Sequence, residues 1–364
     1  MMGIMAQAAG NPDQMTEGIN RSAVSGWLAA NVEGLRAPFE FVLIAGGRSN
    51  LTYAVTDAAG RRIVLRRPPI SHVLPTAHDM GREHRIISAL RDTPVPVPAA
   101  LGYCADETVN DRPFYIMDFV DGYVLRGPVE AASAFDEATR MAAGLDLVDV
   151  LVAIHHLDVD AIGLGDLARH DGYIERQLRR WHRQFGQSQQ QAREAGVYRP
   201  VPLVDEVHDL LAARVPVQQG TALVHGDYRL DNTIVSAEGR VRAVLDWELC
   251  TLGDALADVG TLMAYWGSGP AAGRASDPLQ FAATALPGFP SRAGVAERYA
   301  ARSGRDLANL GFYVAFAQWK LACIGEGVFV RYAANAMGAS GSDAAAIGRN
   351  VEDRARQALA SLNS

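Results

Sequence analysis

Apolar positions first recur at helix spacing over residues 24–35, which predicts a short helix. Strand-like runs come next. The apolar run 39–45 leads into Gly46-Gly47-Arg48-Ser49-Asn50, and the alternating run 51–56 follows it. Ala58-Ala59-Gly60 carries turn chemistry and 62–66 returns to a strand pattern, so hairpins with glycine-rich bends are expected here. A helix is predicted over 76–90. Pro94, Pro96 and Pro98 then stiffen an extended connector, because each ring fixes its own φ and keeps the preceding residue out of the α region. Strand patterns at 99–104 and 113–119 end at Asp121-Gly122.

Beyond this point the character turns helical. Leu145, Val148, Leu151, Val152 and Ile154 mark one face of a helix over 135–156, and residues 255–362 read as helices and loops. Short β runs intrude at 222–224, 233–235 and 241–246. The expected organisation is a disordered tail over 1–20, a β-rich N-terminal lobe over 21–120 and a mainly helical C-terminal lobe over 121–364, an α+β class. A length of 364 residues agrees, since domains run to roughly 100–200 residues. The first 20 residues carry neither a basic start nor the continuous apolar run of a signal peptide. The longest apolar stretch, 310–323, is broken by Gln318 and Lys320 and falls short of the roughly 20 residues that span a bilayer, so no membrane association is expected.

Composition narrows the function. A net charge of −7 argues against a nucleic-acid partner, whose surface would usually be basic. Cys104, Cys250 and Cys323 are odd in number and form no Cys-x-x-Cys, as expected of reduced thiols in a cytoplasmic protein. Of the 34 basic residues 33 are arginine, and Lys320 is the one lysine. That removes a Walker A loop, which needs Gly-Lys-Ser/Thr, and leaves a single candidate for Schiff-base chemistry. A coding preference for arginine is the simplest cause.

The segment 223–235, Leu-Val-His-Gly-Asp-Tyr-Arg-Leu-Asp-Asn-Thr-Ile-Val, carries most of the chemistry. His225, Asp227 and, five residues later, Asn232 stand in a loop between two short apolar runs, and Asp246 closes the run 241–245 fourteen residues beyond Asn232. The spacing suits metal-assisted phosphoryl transfer. One carboxylate must orient an attacking hydroxyl and accept its proton. A second carboxylate and an amide oxygen, both hard ligands, must hold Mg2+ against nucleotide phosphates.

This segment resembles the catalytic loop of protein kinases and, with glycine after the histidine, that of the aminoglycoside phosphotransferase-like kinases; the resemblance covers residues 35–335. It implies a protein-kinase-like bilobal fold with a nucleotide-binding N-terminal lobe, and ATP and Mg2+ as cofactors. It implies Asp227 as catalytic base, His225 as the brace of the loop, and Asn232 and Asp246 as metal ligands. Arg229 stands where protein kinases carry the loop lysine that steadies the transferred charge. Gly46, Gly47, Arg48, Ser49 and Asn50 are placed like the phosphate-covering loop, and Glu83 like the glutamate of the N-lobe helix. Ile116 with Met117, Asp118, Phe119 and Val120 resembles the hinge that contacts adenine. Trp247-Glu248, Asp254 and Asp258 resemble the family's acidic stretch, although the last two also suit capping and ion pairing at a helix start. His155 and His156 end an amphipathic helix and are read as structural.

One position departs from the family pattern. The strand 61–66, Arg-Arg-Ile-Val-Leu-Arg, is similar to the family's Val-Ala-Ile-Lys strand, with Arg66 in the place of lysine. Arginine keeps the charge and can bridge phosphate and carboxylate, but its planar fork is longer. Either a working kinase sets Arg66 against Glu83, or the protein binds nucleotide with impaired transfer.

A polycationic aminoglycoside would call for an acidic C-lobe surface. The helix predicted over 312–332 sets Glu326 against Lys320 and Arg331, and 169–183 holds five arginines against Asp171 and Glu175. The latter reads as a solvated basic helix or as an attraction for an anionic substrate. The stretches 63–69, 173–178 with Trp181, and 312–331 are similar to the family branch found fused to, or encoded beside, acyl-CoA dehydrogenases. That branch implies a small-molecule substrate, a hydroxyacyl-CoA phosphorylated on its hydroxyl, with an acyl-CoA dehydrogenase acting in the same pathway. Glu248, Asp254, Lys320 and Arg331 are the candidate substrate contacts. An aminoglycoside antibiotic kinase and a weakly active nucleotide-binding regulatory module are the alternatives.

Overall fold

The computed structural model describes residues 18–45, 50–70, 79–267, 282–334 and 341–363. Along the chain the elements are α1 (Arg21–Asn31), β1 (Glu40–Ala45), β2 (Leu51–Thr56), β3 (Arg62–Arg67), α2 (Met80–Leu90), β4 (Ala100–Cys104) and β5 (Phe114–Asp118). They continue as α3 (Pro128–Ala134), α4 (Glu137–His155), α5 (Tyr173–Glu194), α6 (Pro202–Ala212), β6 (Ala222–Val224), β7 (Thr233–Val235), β8 (Val241–Val244) and β9 (Thr251–Gly253). The chain ends with α7 (Leu256–Tyr265), α8 (Arg292–Ser303), α9 (Leu310–Ala333) and α10 (Gly341–Leu362). Two units result. One takes Met1–Tyr123, Thr233–Ser236 and Val241–Glu248; the other takes Val124–Asn232, Ala237–Arg240 and Leu249–Ser364.

The first unit is built on an antiparallel sheet in the order β1-β2-β3-β5-β4. β2 and β3 pair without a break from Leu51↔Arg67 to Thr56↔Arg62, around a turn in which Gly60 takes φ 83°. Side chains alternate between the two faces of a strand. Leu65 and Ile116 therefore join Val24 and Leu28 of α1 in the apolar core. Their neighbours Arg66 and Tyr115, themselves register partners, point to the other face. There α2 buries Glu83, Ile86, Ile87 and Leu90. Asp79 caps the start of α2 at Met80 by accepting from the Arg82 amide at 3.0 Å, and residues 76–78 of the predicted helix lie outside the described residues. The β7–β8 hairpin completes this unit: Tyr123 and Val235 exchange backbone hydrogen bonds of 2.8 and 2.9 Å, and Val244 N donates to Pro96 O at 2.8 Å.

The second unit is mainly helical. α9 buries residues on nearly every side, among them Phe312, Phe316, Trp319, Cys323 and Phe329, as a central helix must. It packs against α5, α7 and α10. Gly260 lets α7 approach it closely: a Cβ there would lie 2.3 Å from the Tyr313 carbonyl oxygen. β6 and β9 form a short antiparallel pair from Ala222↔Gly253 to Val224↔Thr251. The basic stretch 169–183 is not one helix, since α5 begins at Tyr173 after left-handed Gly172, φ 63°. The α+β class is as expected, and no helix among the described residues is long and apolar enough to cross a membrane.

Candidate active site

In the first unit the strand alternation brings Arg66 and Tyr115 under α2, which lays Glu83 across them. Arg66 Nε lies 3.0 Å from Glu83 Oε2, and the Tyr115 hydroxyl donates to the same oxygen at 3.1 Å. Asn50 Nδ2 donates to Glu83 Oε1 at 3.1 Å and to Glu248 Oε2 at 3.3 Å. The other arm of the Arg66 fork, Nη2, donates to Asp246 Oδ1. Glu83 is 2% exposed, and burial pushes its carboxyl up against the pull of Arg66. Burial also works against the Arg66 charge, but Glu83, Tyr115, Asp246 and Glu248 overcome it and hold the guanidinium above its ordinary range.

Asp246, directly after β8 and Leu245, takes φ 66°, the one positive value at a non-glycine residue among those described. Such a conformation costs about 1–3 kcal/mol and persists where the surroundings enforce it. Here the Arg66 contact on one side and the Trp247 indole, whose Nε1 donates to Val244 O at 3.1 Å, hold it in place.

In the second unit the chain leaves β6 and turns at Gly226, φ 86°, where a Cβ would lie 2.8 Å from Leu249 O. Only glycine suits that turn. Asp258 of α7 accepts the His225 amide at 2.6 Å and the Gly226 amide at 2.8 Å, one on each oxygen. Asp227 N donates to His225 Nδ1 at 3.2 Å, so that nitrogen carries no proton. Asn232 Nδ2 donates back to Asp227 O at 2.9 Å and to Asp227 Oδ2 at 3.0 Å. Arg229 Nε lies 3.4 Å from Asp227 Oδ2 and Nη1 lies 2.7 Å from Asp231 Oδ2, with the guanidinium 4.7 Å above the Tyr265 ring.

His155 ends α4 beneath this loop. Its Nε2 lies 3.3 Å from Asp258 Oδ2 and its Nδ1 lies 2.8 Å from the Tyr299 hydroxyl, partners that satisfy the neutral ring. Burial lowers the His155 pKa against the pull of Asp258. Burial alone would raise the Asp258 carboxyl, but His155 and the loop amides hold it below the usual range. Both folded-state values lie below those of the unfolded chain. The pair therefore contributes stability at neutral pH that is lost as pH falls, first below about 6.5 as the unfolded imidazole gains a proton, then below about 3.9 as the unfolded carboxyl does. His155→Gln is expected to flatten the fall in Tm between about pH 6.5 and 5; thermal melts across that range with an unchanged slope would remove His155 as its source.

The other expected site residues are distributed as follows. Met117 is buried in β5, Asp118 N donates to Ala99 O at 2.9 Å, and the Arg62 guanidinium covers the Phe119 ring at 4.1 Å; Val120 follows. Gly46, Gly47, Arg48 and Ser49 lie outside the described residues. Asp254 is buried, caps Leu256 N at 3.1 Å and accepts from the Tyr313 hydroxyl at 2.6 Å. Arg331 lies on the exposed side of α9, whereas Lys320 is buried and donates to Gly226 O at 2.7 Å. Glu326 is buried against Arg199 at 2.6 Å and Gln189 at 2.7 Å. Tyr115, Asp231 and Tyr265 join the two clusters without having been expected. Tyr115 was open to discovery through its alternation with Ile116, and Asp231 through its place two residues from Arg229.

The family model for the phosphotransferase enzyme family matches residues 40–309. Acyl-CoA dehydrogenase family member 10 of Mus musculus is 35% identical over 299 residues, which is 81% of this chain and 27% of that protein. The chain thus spans about a quarter of that relative's length. A Ralstonia eutropha protein solved as a candidate aminoglycoside phosphotransferase is 31% identical, with a TM-score of 0.75 over 94% of this chain and 98% of its own. An amicoumacin kinase in complex with AMP-PNP, Ca2+ and Ami shares the fold at 14% identity, with a TM-score of 0.58 over 95% of this chain and 96% of that one.

Proposed function

We propose, because the chain belongs to the phosphotransferase enzyme family and carries its protein-kinase-like α+β fold, that it transfers the γ-phosphoryl group of Mg-ATP to the hydroxyl of a hydroxyacyl-CoA-type small molecule. The observation that carries this reading is the fixing of Asp227. His225 holds its amide, while Asn232 holds its carbonyl and one carboxylate oxygen. A carboxylate so restrained can orient an acceptor hydroxyl and take its proton. Arg229, kept beside it by Asp231 and Tyr265, offers a fixed cation to the charge on the transferred group. Arg66, seated on Glu83, keeps a cation in the place of the family's strand lysine.

The family pattern assigns Mg2+ to Asn232 and Asp246, and each keeps one oxygen uncommitted within its own unit. Asn232 commits its Nδ2 to Asp227, which leaves Oδ1, and Asp246 commits Oδ1 to Arg66, which leaves Oδ2. Both are hard donors. Among the described residues no group of three or more His, Cys, Asp or Glu could hold a metal. When bound, Mg-ATP supplies the phosphoryl group and the ion offsets the charge of its oxygens.

For the acceptor, the support is the name of the mouse relative together with a cavity of about 110 Å³ in the second unit. Leu125, Leu262 and Trp266 give it apolar walls, Arg126 and Arg229 line it, and its acid, Asp231, is already paired with Arg229. With Arg229 paired to Asp231 and Asp227, Arg126 is the further cation of a mainly apolar lining, which favours an apolar chain bearing an anionic group over a polycation. An acyl-CoA dehydrogenase acting on the same pathway is the partner this reading implies. The test is to incubate purified protein with labelled ATP and hydroxyacyl-CoAs, sugars, amino alcohols or aminoglycosides. Mg2+-dependent labelling of a hydroxyacyl-CoA is expected. Transfer to aminoglycosides alone would make the protein an antibiotic kinase, and ATP binding without turnover would make it a regulatory module.

A further inference from the structure

Lys320 is 7% exposed in the middle of α9, and burying an ammonium is costly unless its charge and donors are used. Its Nζ donates to the Gly226 carbonyl oxygen at 2.7 Å and lies 5.4 Å from the centre of the Trp181 ring on α5. Burial lowers its pKa and Arg180 acts in the same direction, while Asp227 and Asp258 oppose them. The Gly226 oxygen belongs to the peptide unit whose nitrogen is that of Asp227. That nitrogen is held by His225, the preceding amide by Asp258, and the following carbonyl by Asn232. Lys320 restrains the one remaining polar atom of this backbone and ties it to the central helix.

We infer that Lys320 is a positioning residue for phosphoryl transfer: by anchoring the Gly226–Asp227 peptide to α9 it sets where the Asp227 carboxylate meets the acceptor hydroxyl, without itself touching ATP or acceptor. The inference rests on the function proposed above. It also gives a chemical reason for one lysine among 33 arginines. A lone carbonyl oxygen needs a single donor on a slender stem, whereas a guanidinium would bring five N–H donors into a buried pocket with one acceptor at its end.

The test uses Lys320→Met, which keeps the stem and removes the ammonium, and Asp227→Asn, alone and combined. Lys320→Met should lower kcat about 10²-fold, the scale of a catalytic group misplaced by about 1 Å, with KM for ATP and acceptor within about twofold. In the Asp227→Asn background the same change should cost less than about threefold, because its effect runs through Asp227. An undiminished effect in both backgrounds, or a raised KM with kcat unchanged, would overturn the assignment; the second result would make Lys320 a substrate contact. Wild-type turnover in Asp227→Asn alone would strike at the proposed reaction instead, so the two failures are distinguishable. A second measurement needs no variant to fold. With one lysine in the chain, acetylation by an N-hydroxysuccinimide ester followed by mass spectrometry reads residue 320 directly. Modification only after denaturation is expected, and modification of the native enzyme at the rate of a free lysine would refute the anchored placement.

Discussion

Asp227→Asn is expected to lower kcat by about 10²–10⁴-fold while leaving the Kd for ATP within about threefold of wild type. The substitution is nearly isosteric, and its amide oxygen can still accept from Asn232 as the carboxylate does at 3.0 Å. Arg229 loses one carboxylate but keeps Asp231 at 2.7 Å, so the loop retains its shape. What disappears is the group that takes the proton in the proposed reaction. Steady-state kinetics paired with calorimetric titration of a non-hydrolysable ATP analogue separates the two quantities. A loss of nucleotide affinity with turnover intact would deny Asp227 its role as base.

Arg66→Ala should act on stability as well as chemistry. Removing the guanidinium leaves Glu83, 2% exposed, beside Asp246 and Glu248 without its cation, and breaking a buried pair in this way costs about 3–5 kcal/mol. Combining Arg66→Met with Glu83→Gln should restore most of that stability, because apolar or neutral replacement of a whole buried pair is often tolerated. ATP binding should stay impaired in the double variant. Urea unfolding and calorimetric titration give both answers, and recovery of ATP affinity along with stability would mean that Arg66 serves the fold alone. Arg66→Lys is the sharper probe of geometry, since a point charge cannot reproduce the fork that reaches Glu83 and Asp246 together.

The contrast between these residues shows what could be read along the chain. β2 and β3 were legible because their alternation flanks an Ala-Ala-Gly turn, so register follows from local chemistry. β9 was not, since three residues give no period and its pairing with β6 is long-range. The loop residues Asp227, Asn232 and His225 stand close in sequence and meet through local bonds, which makes their spacing informative. Glu83 was legible only by resemblance. A glutamate in a helix reads as solvated, and its burial comes from the way α2 packs on β4 and β5. Lys320 was harder still, because its partner is a backbone oxygen 94 residues away and a carbonyl leaves no mark in side-chain pattern.

The β7–β8 hairpin has a consequence for synthesis of the protein. Tyr123 waits for Val235, and the Pro96 carbonyl waits for Val244, while the intervening stretch belongs to the other unit. A ribosome adding about 5–20 residues per second needs on the order of ten seconds to cover that distance. Through that interval the nascent sheet stands without its hairpin and with those backbone groups open to solvent. The first unit, whose sheet strands are all translated by Asp118, thus cannot finish folding before Glu248 is made, and early release from the ribosome would yield an incomplete lobe.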